Sequence, residues 1–186
     1  MLFPFLLWAS FLFYFEGFFT ACAVCLAILF HECGHLTAFF LLSEKRPRLR
    51  FNPLGITLIP RRMLSYRHEA IIAFFGPLFN LLTALFFAPF RYSFELFEAL
   101  TPISLFLFAV HLLPILPLDG GRILFALCSS LFGETGMRIA SFISFIALCV
   151  SLFFFLYFLL YYGIGFTPLF SVFFLFCEQE KMNFGS

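Results

Sequence analysis

The chain has 186 residues, of which 63% are hydrophobic, 23% aromatic and only 11% charged, with a net charge of +1 and a mean hydropathy of +1.05. Ordinary soluble domains are about 25% charged, so this composition excludes a soluble globular domain and defines an integral membrane protein. The near-neutral charge and the lack of a basic, aromatic-interleaved patch give no support to nucleic-acid binding.

A membrane-spanning helix needs about 20 apolar residues. The sequence offers segments at 2–15 (short), 17–42, 69–90, 101–132 (interrupted), 139–161 and 163–177 (also short). The expected fold is therefore an all-α polytopic membrane protein of about six transmembrane helices, a single domain over residues 1–186. The opening "MLFPFLLWAS" lacks the basic flank and cleavage site of a signal peptide and reads as the start of the first segment. The 35 phenylalanines are most simply lipid-facing bulk, and the six cysteines are read as small apolar packing residues, the Cys22/Cys25 pair included.

The second segment, 17–42, contains "FHECGHL" (30–36). On a helix His31 and His35 project from one face, a turn apart, and Glu32 is displaced by about 100° from His31. This is the H-E-x-x-H pattern, in which two neutral imidazoles bind zinc and the glutamate acts as general base. Ionisable groups in hydrocarbon are costly and usually face a cavity. Mutual satisfaction among the three side chains is the bland alternative. Gly34 is expected to admit a close backbone neighbour.

Residues 43–68 carry seven of the eleven Lys and Arg residues. Short loops rich in these residues face the cytoplasm, which puts Arg91, Glu95 and Glu98 outside and both termini inside. Within this loop, Asn52-Pro53-Leu54-Gly55 reads as a turn between β-prone residues. A short β-hairpin at the membrane face and an amphipathic loop anchored by arginines both fit the composition.

In "FFGPLFN" (74–80), Gly76-Pro77 is expected to loosen its helix, and Asn80 brings an uncharged amide into the membrane. That amide suits a hydrogen bond to a substrate backbone or an oxyanion, or else helix–helix adhesion. In "LLPILPLDGGR" (112–122), Pro114 and Pro117 break the helix, and Asp119 is the outstanding carboxylate for a third metal ligand. It also suits a helix N-cap. Non-helical backbone at membrane depth is tolerated where it lines a protein-enclosed or wet cavity. His111 lies one to two turns before the break, whereas His68 belongs to the basic loop.

Together, His31-Glu32-Cys33-Gly34-His35, Gly76 through Asn80, and Pro114 through Gly121 resemble the site-2 protease family of intramembrane zinc metalloproteases, in order, across residues 17–132. The compact plan most resembles the sporulation-stage-four membrane protease branch, whose members cleave a membrane-associated sigma-factor precursor. The resemblance implies one Zn2+ per chain, held by His31, His35 and Asp119, with Glu32 as the catalytic carboxylate. It implies a multi-pass cell-membrane protein with its site toward the cytoplasm and a membrane-protein substrate met within the lipid bilayer. That substrate is expected to pair as a strand with the 49–59 region, which includes Gly55, Ile56 and Thr57, and to meet Asn80 and His111. Inhibitory membrane partners are compatible with the resemblance; the oligomeric state is open.

The family commonly has asparagine at the position of His111, and histidine there adds a group that titrates near neutrality. No PDZ or nucleotide-binding regulatory domain is expected within these residues. A metal transporter would also use intramembrane His and Asp, but has no need of Glu32. A structural zinc site would usually need a fourth protein ligand.

Overall fold

A computed structural model describes residues 17–42, 48–52, 55–59, 65–116 and 118–162. The expected segments 2–15 and 163–177 lie outside the described residues, as do the turn residues Pro53 and Leu54. In chain order the elements are α1 (Phe18–Leu42), β1 (Arg48–Asn52), β2 (Gly55–Ile59), α2 (Tyr66–Phe87), a 3-10 turn (Ala88–Phe90), α3 (Glu95–His111), α4 (Asp119–Phe132) and α5 (Glu134–Tyr162). The chain forms two compact units, residues 1–111 and 112–186.

Three helices among the described residues are long and apolar enough to cross a membrane, at Phe18–Leu42, Tyr66–Phe90 and Glu134–Phe154. With 17 residues in α3 and 14 in α4, these two reach only about 26 Å and 21 Å at 1.5 Å per residue. Both are shorter than the roughly 30 Å of a hydrocarbon core.

In the first unit α1, α2 and α3 pack against one another. The buried face of α1 runs through Ala23, Ala27, His31, Gly34, His35 and Ala38. These are helical steps of three and four, so the two histidines lie on the same stripe as the small residues. Small side chains let helices approach closely where apolar surface alone gives no drive to associate in lipid. On α2 the matching stripe is Ile72, Ala73, Gly76, Pro77, Asn80, Thr83 and Ala84. On α3, Leu100, Thr101 and Ser104 are buried. Ala23, Ala27 and Leu100 form one apolar cluster; Ala38, Phe39 and Ile72 form another. Along α1 the histidines lie between them.

Gly34 brings the backbones of α1 and α2 close together, because a Cβ there would overlap the Phe75 carbonyl of α2. A backbone carbonyl cannot swing aside as a side-chain end can. Gly34→Ala is expected to cost about 1–3 kcal/mol through overpacking, read as a lower thermal midpoint of the full chain in detergent. An unchanged midpoint would mean that the two helices separate freely at this level.

β1 and β2 pair antiparallel, with Arg48 opposite Ile59 and Asn52 opposite Gly55. Gly55, Ile56 and Thr57 thus belong to β2.

In the second unit residues 112–116 and 118 turn back over the start of α4. Leu118 donates its N–H to the Ile115 carbonyl at 2.7 Å, and the Leu116 N–H donates to the Ser144 hydroxyl of α5 at 2.7 Å. Side chains at Gly120 and Gly121 would overlap the backbone of Leu112, Leu113, Ile115 and Leu116. The double glycine is therefore a packing requirement of the turn. Ile115 is buried with Leu148 of α5.

Candidate metal centre

His31 and His35 occupy successive turns of α1, and their rings meet edge to face with centroids 4.7 Å apart. Both are buried, at 5% and 9% exposure. Their Nε2 atoms face each other at 3.1 Å. Two ligand atoms of one tetrahedral zinc, each about 2.0–2.1 Å from it, stand about 3.3–3.4 Å apart. The imidazole pair fits such an ion with a small adjustment.

The far nitrogens are also held. His35 Nδ1 donates to the Ile72 carbonyl of α2 at 2.8 Å. A carbonyl only accepts, so the proton of neutral His35 is on Nδ1, and its Nε2 carries the lone pair that would bind a metal. Hydrogen-bonded far nitrogens of this kind orient metal-binding histidines and fix their tautomer. The sequence held no sign of this partner, because the acceptor is backbone. His31 Nδ1 faces the Asn80 Nδ2 amide at 3.1 Å.

Gly76 lies directly beneath the pair. A Cβ at that position would overlap His35 Cε1 and Nε2 and come within 2.9 Å of His31 Cε1. α2 runs continuously from Tyr66 to Phe87 with Pro77 inside it, so the Gly76-Pro77 step does not end the helix. What Gly76 contributes is room for the rings. His111, the last residue of α3, brings its ring centroid to 4.1 Å from that of His31, tilted by 57°. Three imidazoles and one amide therefore converge in the first unit. Glu32 is half-buried on α1, one residue beyond His31.

Asp119 belongs to the second unit. It is the first residue of α4, and the N-cap position falls to Leu118, which makes no side-chain cap. It is buried at 5% exposure, with Arg122 Nη1 3.7 Å from Oδ1. A buried carboxylate has to be paired or to coordinate a metal.

The chain has the fold of a site-2 protease: it is similar to the site-2 protease from Methanocaldococcus jannaschii, with a TM-score of 0.70 at 21% identity, over 95% of this chain and 85% of that one. Residues 90–158, which carry α3, α4 and the Asp119 turn, match the family model of Peptidase family M50. No curated protein matches the chain.

Proposed function

We propose that this chain is an intramembrane zinc metalloprotease that hydrolyses a peptide bond of a membrane-embedded or membrane-associated protein, as in regulated intramembrane proteolysis. The observation that carries this reading is the His31–His35 pair, with Nε2 atoms 3.1 Å apart inside a chain of site-2 protease fold. The match of residues 90–158 to Peptidase family M50 supports the reading from the other half of the chain. Sigma-factor precursor processing is the process that the likeness of the motifs suggests.

In this proposal His31, His35 and Asp119 hold the zinc. When bound, zinc supplies a water acidified to a pKa of about 7 and polarises the scissile carbonyl. Glu32 takes the proton of the attacking water and hands it to the leaving amine, a transfer that requires contact with both. His111 meets the substrate beside His31. The β2 edge at Gly55, Ile56 and Thr57 pairs with an extended substrate strand through main-chain hydrogen bonds. A helix protects its own peptide bonds, so the substrate has to unwind near the site, and helix-breaking residues are expected there. The chain crosses the cell membrane several times, with its site about 12 Å from the cytoplasmic face, given about eight residues between His35 and the basic loop at 1.5 Å each.

The test uses the purified full chain with a tethered transmembrane substrate. One zinc per chain is expected, with cleavage lost on chelation and restored by zinc. His31→Ala, His35→Ala and Asp119→Ala should each lower zinc content and abolish cleavage. Full cleavage by the zinc-free chain would overturn the proposal, and metal flux across vesicles without cleavage would assign the site to transport.

A further inference from the structure

We infer that Asn80 is a positioning residue for His31, whose side-chain amide holds the imidazole by its far nitrogen as the Ile72 carbonyl holds that of His35. The inference rests on the metalloprotease reading above and adds to it a role for a residue that the sequence assigned to substrate.

The Asn80 side chain is fully buried, at 0% exposure, on the stripe of α2 that faces α1. Its Nδ2 group lies 3.1 Å from His31 Nδ1, while its Oδ1 accepts no hydrogen bond among the described residues. An orphaned buried acceptor is unfavourable and calls for a reason.

The place of the amide in the site supplies one. His35 Nδ1 donates to the Ile72 carbonyl, and the Asn80 amide stands in the same relation to His31 Nδ1. An amide offers both a donor and an acceptor, so it can meet that nitrogen whether or not it carries a proton.

An imidazole that would bind a metal through Nε2 carries its proton on Nδ1. The Asn80 amide oxygen is the acceptor within reach of that N–H, and it would fix the ligand tautomer of His31 as the Ile72 carbonyl does for His35. Partners of this kind typically change metal affinity by about 10–100-fold.

The test measures zinc affinity by chelator competition on the purified full chain in nanodiscs, together with 15N spectra of labelled histidine. Asn80→Ala should weaken zinc binding by about 10–100-fold. Asn80→Asp, which only accepts, should bind zinc at least as tightly as the wild type. In the zinc-loaded chain the His31 ring should be protonated at Nδ1. Zinc affinity unchanged in Asn80→Ala, with cleavage reduced, would overturn the inference and return Asn80 to substrate contact. If Asn80→Ala does not fold, Asn80→Asp decides: zinc binding more than tenfold weaker than wild type would mean that the amide acts as a donor. A wild-type chain that holds no zinc overturns both this inference and the metalloprotease reading, whereas zinc held equally by wild type and Asn80→Ala overturns only the inference.

Discussion

Replacing Glu32 with glutamine is expected to lower peptide cleavage by about 10²–10⁴-fold, the usual contribution of a positioned acid–base group, while zinc stays bound. Glutamine keeps the volume and polarity of glutamate, so the packing of α1 is preserved. What it removes is the capacity to accept a proton. Glu32 is displaced by about 100° from His31 around the helix, and its loss should leave the imidazole pair in place. Single-turnover cleavage of a tethered substrate, measured beside metal content, separates the two quantities. Unchanged cleavage would remove Glu32 from the chemistry, and loss of zinc along with cleavage would make it a ligand.

The second large effect is expected at Gly76. In a helix interior, Gly→Ala ordinarily gains about 1 kcal/mol in propensity, so on helical grounds Gly76→Ala should stabilise α2. The added methyl, however, overlaps the His35 ring at Cε1 and Nε2, and crowds His31 Cε1 at 2.9 Å. Both rings must then move away from their common focus. Zinc affinity should fall by about 10–100-fold or more, and cleavage by about 10²-fold from misplacement on the scale of 1 Å. The thermal midpoint of the metal-free chain should stay constant or rise. A drop in that midpoint with zinc affinity intact would mean that the helices, and not the imidazoles, absorb the methyl.

Where the sequence was legible, long apolar runs made it so. The expected segment 17–42 corresponds to α1 at Phe18–Leu42, and 69–90 to α2 with its 3-10 extension, Tyr66–Phe90. The expected segment 101–132 starts too late, because α3 begins at Glu95. Glu95 and Glu98 are exposed in its first turn, where acidic side chains complement the helix dipole. The fourfold spacing of His31 and His35 sufficed to put both on one face. The partners that orient them were hidden, since one is the carbonyl of Ile72 and the other an amide 49 residues away. The service Gly76 gives to the rings was hidden for a related reason. A glycine's effect on its own helix can be judged from sequence, but the ring lying over it belongs to another helix.

The stripe of small residues on α1 has a consequence for how such a chain can change over time. Ala23, Ala27, His31, Gly34, His35 and Ala38 share one face only as long as the residues between them are counted correctly. One residue inserted after Ala27 would turn both imidazoles by about 100°, out of the helix interface. By contrast Phe18, Phe19, Leu29, Phe40 and Leu41 are exposed, and any apolar side chain would serve lipid equally well at those positions. Substitution on the outer face is almost free, while insertion or deletion inside the stripe is not.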